Sequence, residues 1–310
     1  MSQKLSKMDA TELKQRYAAG ERDFQKVDLR NAFLGGVNLS EANFRESDLS
    51  GANLIGADLI RVNFRECNLT DAHLEADLTE ANLISTNLTG ANLTGATLVD
   101  ASLRAANLYG ATLKSVNFSS AILSEADLRE TDLSRARLTE CHLGRAKLMK
   151  ALLMEADLQG VNFTNAILSE ANLHGANLTG AILHGVNATN MDASDADFSR
   201  AQINSANLAN TKLQRANFRA TNLSWTTLRS ADLTEAKLYR AKLCWSNLIG
   251  ATLVNAMLID ANIHEANFRN ANLTGAVMPD AGSGEPQKQE AATHVADQLR
   301  ALQEKIKSRQ

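Results

Sequence analysis

A large apolar residue recurs every five positions, at Phe24, Leu29, Leu34, Leu39, Phe44 and Leu49 and onward to Leu74. One four-residue step, Glu75-Ala76-Asp77-Leu78, interrupts the series, which then runs almost unbroken through Leu83, Leu88 and Leu93 to Met278. With that residue taken as position i, position i−2 is nearly always Ala, with Val, Thr, Ser or Cys as substitutes, and i−1 is mostly Asn or Asp. Positions i+1 and i+2 are mixed polar, with Gly frequent at i+2, as at Gly90, Gly95, Gly110 and Gly175. The unit is A-(N/D)-L-x-x, repeated roughly fifty-two times, a tandem array of the kind that builds solenoids.

A period of five excludes helix, because five steps of about 100° smear the leucines around every face. In an extended segment i−2 and i point the same way, but the next i−2 lies three residues on and would face the opposite side. The chain therefore turns once per repeat if both positions are to stay inside. Gly at i+2 permits unusual φ at the corner, and Asn or Asp at i−1 hydrogen-bonds neighbouring backbone there. Four such sides make a closed coil of about 20 residues, and stacking at about 4.8 Å predicts about thirteen coils in a rod about 60 Å long.

Period alone does not prove the quadrilateral form. The unit resembles the A(D/N)LXX motif of the pentapeptide-repeat family, matched by Ala91-Asn92-Leu93-Thr94-Gly95 and dozens of neighbours over residues 22 to 278. The resemblance implies an all-β solenoid, a right-handed quadrilateral β-helix, here assigned to residues 21–278. Phe24, Phe44 and Phe64 are 20 apart, as are Phe198 and Phe218, so each set is expected to stack along one side of the interior. At Ala188 and Ala193 the large centre is lost, and Val186 and Met191 enlarge the i−2 site in compensation. The four-residue step predicts a local distortion.

Residues 1–20 read as an N-terminal cap. A short helix is expected over 9 to 19, with Asp9 and Glu12 as a capping box, Leu13 and Tyr17 on one face and Gly20 as the stop. It would cover the open end of the first coil, whose strand edges and apolar floor are otherwise bare. At the other end residues 279–286 read as a turn-rich linker and 287–310 as an amphipathic helix. Its seam, Ala292, Val295, Leu299, Leu302 and Ile306, is spaced 3, 4, 3, 4. That tail either folds over the last coil or pairs with a second chain, a homodimer contact; outward Val254, Met257, Ile259 and Val277 offer a landing strip.

The composition agrees with a repeat core, since aromatics make up 5% of 310 residues and only two prolines are present. A net charge of −3 and pI near 6.1 give no general attraction to nucleic acid or anionic lipid. The start lacks the apolar h-region of a secretory signal and no stretch approaches a membrane span, so the reading is cytoplasmic with no membrane insertion. Three distant cysteines imply no disulfide framework. Cys67 and Cys141, at i−2, read as small buried fillers, and Cys244, at i+1, as exposed.

Motif searches find no phosphate loop, dinucleotide fingerprint or nucleophile elbow, and no isolated acid–base pair, so no catalytic, cofactor or metal site is assigned. His174 and His184 fall on opposite walls and cannot share an ion. One region stands out: Lys212, Arg215, Arg219, Arg229, Lys237, Arg240 and Lys242 lie close in sequence, against only Asp232 and Glu235. Trp225 and Trp245 both occupy i+2, one coil apart, with Tyr239 nearby, and exposed Trp beside Arg favours binding hot spots and cation–π contacts. The alternative is that corner aromatics merely cover backbone. The expected function is a non-enzymatic structural or protein–protein interaction scaffold, its partner a protein rather than a small molecule. The family resemblance implies a second reading, a DNA-mimic binder of type II topoisomerase (gyrase), which the interspersed acidic and basic residues fit poorly.

Overall fold

The computed structural model describes residues 5–279. Linker residues 280–286 and the tail helix expected over 287–310, including Val295, Leu299, Leu302 and Ile306, lie outside them. Within the described span each repeat contributes one bridge residue and a two-residue turn. The bridges are parallel and join position i−1 to its counterpart 20 residues on, from Asp23↔Asn43 to Met257↔Val277. Four repeats thus complete one coil, and each coil lies directly on the next.

The hydrogen bonding explains why the unit is five residues long. The N–H of each centre donates to the i−1 carbonyl of the next coil, as Leu34 N to Asn53 O at 2.8 Å, while Asn53 N donates back to Ala32 O at 2.9 Å. The i+2 N–H makes a third inter-coil bond, as Gly36 N to Ile55 O at 2.9 Å. Within a coil the next i−2 N–H closes the turn onto the centre carbonyl, as Ala57 N to Leu54 O at 3.0 Å. The Asn or Asp side chain at i−1 takes the remaining donor, the i+1 N–H, as Ile55 N to Asn53 Oδ1 at 3.1 Å. Where i−1 is Asn or Asp, no donor of the repeat is left over, which is the requirement a buried backbone must meet.

The corner residue i+2 has positive φ, as a turn of type II demands at its second central position. Glycine was expected to supply it, yet Glu41, Arg61, Asn165 and Ser205 have φ between 55° and 61° in the same slot. The ladder on either side over-determines the corner and enforces the left-handed conformation on ordinary residues, at a cost of about 1 kcal/mol or more each.

Alanine at i−2 and the large residue at i fill the prism, and from Leu34 to Leu258 nearly all are fully buried. Phe24, Phe44 and Phe64 stack at 5.5 Å between ring centroids, and Phe198 and Phe218 at 5.0 Å. Where Ser or Thr replaces Ala, its buried hydroxyl donates to a backbone carbonyl, as Thr86 Oγ1 to Phe64 O at 2.7 Å and Thr221 Oγ1 to Phe198 O at 2.6 Å. Met191 and Val186 are buried beside Ala193 and Ala188, so the thinned centres are filled from i−2.

The four-residue step is absorbed within one coil. Bridges spanning it are 19 apart, from Asp58↔Asp77 to His73↔Asn92, and return to 20 at Asp77↔Thr97. The missing residue is a corner, and a dent of about 420 Å³ opens there, lined by Gly56, Glu75, Ala76, Thr94 and Gly95 among others.

The N-terminal end is covered by two elements. Strand β1 (Ser6–Lys7) pairs in parallel with β2 (Val27–Asp28), a contact the repeat pattern does not announce. Helix α1 (Ala10–Ala18) follows, and its Leu13 is completely buried in the core. Asp9 caps α1 through Thr11 N and Glu12 N. The expected reciprocal bond from Glu12 is not made, because its carboxylate takes Arg16 at 3.1 Å instead.

Candidate functional site

The 20-residue register assigns every surface residue to a wall. Wall A carries centres Ile203, Leu223 and Leu243, wall B Leu208, Leu228 and Leu248, wall C Leu213, Leu233 and Leu253, and wall D Phe218, Leu238 and Leu258. The residues singled out from the sequence do not form one patch. Lys212 is on wall C and Arg215 at the corner of C and D; Arg219, Lys237 and Tyr239 are on wall D and Arg240 at the corner of D and A. Lys242 lies on wall A, Arg229 on wall B, and Trp225 and Trp245 at the corner of A and B. The clustering seen in sequence is spread around the rod because fifteen consecutive residues already cross three walls.

The charges also divide. Arg215 is bound to Asp195 through two nitrogens, Lys212 reaches Asp192 at 3.2 Å and Arg240 reaches Asp260 at 3.5 Å, each partner one coil away. The Arg215 guanidinium holds the Asp195 carboxyl below its ordinary value. Arg219, Arg229, Lys237 and Lys242 are exposed and make no ion pair among the described residues. Tyr239 is half-buried, its hydroxyl turned to the Met257 sulfur, and lies away from the tryptophans.

At the corner of A and B the two tryptophans lie one above the other, as their spacing of 20 predicts. The indoles of Trp225 and Trp245 stack at 5.3 Å with 7° between planes, and the His264 ring stands edge-on to Trp245 at 5.7 Å. Despite the stacking they are 62% and 47% exposed. Both have left-handed backbone, φ 63° and 61°. Lys242 on wall A and Arg229 on wall B are exposed on the two walls that meet at this corner, and the expected cation–π contact to either indole is not found among the described residues.

Cys67 and Cys141 are buried as expected. Burial pushes the Cys67 thiol up to about 12 and raises that of Cys141 as well, so neither is a ready nucleophile. Cys244 is half-buried rather than exposed, its Sγ turned to the Asn262 carbonyl of the next coil at 4.0 Å. Val254 is likewise half-buried, whereas Met257, Ile259 and Val277 are outward and exposed. Among the described residues no group of three or more His, Cys, Asp or Glu could hold a metal ion, and no helix is long and apolar enough to cross a membrane. An apolar pair went unremarked in the sequence: Phe33, 78% exposed at an i−1 slot, and Ile55 on the same wall. A phenylalanine where Asn or Asp is the rule was the available signal.

A family profile described as pentapeptide repeats matches in 8 copies between residues 23 and 275. No curated protein matches the chain. Among solved structures the chain is similar to HetL, a pentapeptide repeat protein involved in heterocyst differentiation regulation in the cyanobacterium Nostoc sp. strain PCC 7120. The identity is 28%, covering 89% of this chain and 99% of that one, with a TM-score of 0.26. It is also similar to a pentapeptide repeat protein of the Arabidopsis thaliana thylakoid lumen, at 30% identity over 34% of this chain and 66% of that one, TM-score 0.25. QnrB1, a plasmid-mediated fluoroquinolone resistance protein, is 17% identical over 64% of this chain and 89% of that one, TM-score 0.37.

Proposed function

Because the chain belongs to the pentapeptide-repeat family, whose members fold as right-handed β-helices, we propose that it is a non-enzymatic scaffold that holds a protein partner against one edge of its rod. The observation that supports this reading is the Trp225–Trp245 stack. The corner slot needs only a residue that tolerates positive φ, and Gly, Ser or Asn fills it elsewhere. Two indoles held there leave apolar surface in water, which the coil does not require. Large flat aromatics beside unpaired cations are the residue types on which binding energy concentrates. The flanking Lys242 and Arg229 favour an acidic segment that carries aromatic or proline side chains.

The scaffold reading has a direct test. Affinity capture from native extract is run with the wild type, with Trp225→Ala/Trp245→Ala, and with Arg215→Glu at the diagonally opposite corner. A partner retained by the first and third and lost from the second, with about 30-fold weaker affinity once isolated, is the expected result. Equal recovery by all three removes the edge from consideration. The topoisomerase-binding reading gains no support from the described surface. Along the corners, carboxylates alternate with cations one coil away, as in Glu41–Arg61, Arg135–Glu155 and Asp195–Arg215, so acidic charge does not run on as a stripe.

A further inference from the structure

Over the first coils the corner of walls C and D is stripped of side chains. Gly36 and Gly56 occupy it, the four-residue step omits the next corner residue, and Gly95 follows. At none of these glycines would a Cβ meet anything within 4 Å, and ordinary residues hold the same φ at other corners, so the packing does not demand them. What they leave is a bare edge that opens into the dent of about 420 Å³.

The dent is short of hydrogen-bond donors and of positive charge. One coil earlier Gly56 N donates to Glu75 O at 2.8 Å, whereas the equivalent acceptor in the dent, Thr94 O, has no donor among the described residues. The Glu75 side chain stands at the mouth, 24% exposed; its Oε1 accepts from Asn92 Nδ2, and its Oε2 has no hydrogen-bond partner among the described residues. Asp58 and Asp77 also line the dent and are bridged directly across adjacent coils, a like-charge pairing that destabilises a sheet. Elsewhere such carboxylates meet a cation one coil away, as Asp192 meets Lys212. Between Phe33 and Val99, walls C and D and their shared corner carry no lysine or arginine; the one base there is His73, with Nδ1 3.8 Å from Glu75 Oε1.

A metal ion does not answer this need, because among the described residues no three such groups gather around one point. A guanidinium does, since its five N–H donors in a planar fork reach acceptors that are spread apart. Glu75 needs only to turn about its own bonds, as surface side chains do within nanoseconds, to present Oε2. Apolar surface adjoins the dent. Ile55, 45% exposed, holds the same place as Glu75 one coil before it, about 4.8 Å along the axis, and Phe33, 78% exposed, lies one coil further. We propose that this edge binds an arginine of a protein segment laid along the rod, with the guanidinium in the dent and a neighbouring apolar side chain over Ile55 and Phe33. The site lies at the corner diagonally opposite the Trp225–Trp245 stack and does not depend on it.

The isotope-labelled full chain is titrated with N-acetyl-leucyl-arginine amide and with its citrulline analogue, in which a neutral urea replaces the guanidinium, and the amide signals of Gly56 and Gly95 are followed by NMR. The expected result is saturable shifts with the arginine probe, with affinity about tenfold weaker for the citrulline probe and for Glu75→Gln. One glycine inserted between Glu75 and Ala76 fills the dent and should abolish binding. Unmoved amide signals over residues 103–163 show that each variant keeps its fold. Shifts that stay linear to about 10 mM probe mean that the dent takes water only, and overturn the proposal. Equal binding of the two probes, or binding that survives Glu75→Gln or the inserted glycine undiminished, overturns it as well.

Discussion

At the scale of single residues, the ladder imposes a conformation that the side chain then has to tolerate. Gly95 shows the cost in isolation, because its φ is +66° and a Cβ added there would meet nothing within 4 Å. Ala105 and Ala220 already occupy equivalent slots. Gly95→Ala is therefore expected to fold and to lose about 1 kcal/mol, all of it conformational, measurable as a shift in the urea midpoint with unchanged slope. Asp127 shows the electrostatic counterpart. The Arg129 guanidinium, at 2.6 Å, holds its carboxyl below the ordinary 3.8, with partial burial working in the opposite direction. A depressed carboxyl stabilises the fold above its unfolded value and loses that contribution as pH falls through the folded one. In Asp127→Asn the decline of stability below about pH 4 should accordingly be shallower than in the wild type, as followed by thermal unfolding across an acid series. A pH profile identical to the wild type would mean that the pair contributes nothing.

At the scale of elements, legibility followed the repeat. The spacing of Ala and Leu located both inward positions, the Phe stacks and the one-coil reach of the deletion, because those follow from a period and a turn. Strand β1 was not legible: Ser6 and Lys7 carry no pattern, and they pair only because the first coil offers an edge. The capping box failed for a local reason, the nearness of Arg16 to Glu12. The basic zone misled because proximity along a coiled chain is not proximity on its surface; only the Trp225–Trp245 spacing of one full coil carried through. The dent at Glu75–Leu78 follows the same logic in reverse. In an intact coil the corner N–H would donate to the Thr94 carbonyl, as Gly95 N does to Lys114 O at 2.9 Å, and here that carbonyl has no donor among the described residues. Glycines 56 and 95 flank the gap, so room exists for the absent residue. Inserting one glycine between Glu75 and Ala76 should restore the 20-residue register and stabilise the chain by about 1 kcal/mol through the regained bond. A destabilised insertion variant would show that the neighbouring coils have set around the shorter loop.

At the scale of the molecule, each coil touches only the coils above and below, so energy is expected to combine along one dimension. Leu113, Leu133 and Leu233 lie on wall C, the first two on adjacent coils and the third six coils from Leu113, and all are fully buried. Each change to Ala should cost about 2–5 kcal/mol, because the surrounding alanines are too small to close the void. Leu113→Ala with Leu233→Ala shares no neighbour, and the two losses should add to within about 0.5 kcal/mol. Leu113→Ala with Leu133→Ala opens one continuous cavity, since Leu113 N bonds to Asp132 O directly beneath it. Its double-mutant cycle should therefore show a coupling of about 0.5 kcal/mol or more. Hydrogen exchange resolves the same point in space: amides near each altered coil lose protection while those several coils away keep theirs. Coupling between Leu113 and Leu233 as strong as that between neighbours would mean that the rod unfolds as a single cooperative body, and that strain introduced at one end is felt at the Trp225–Trp245 edge.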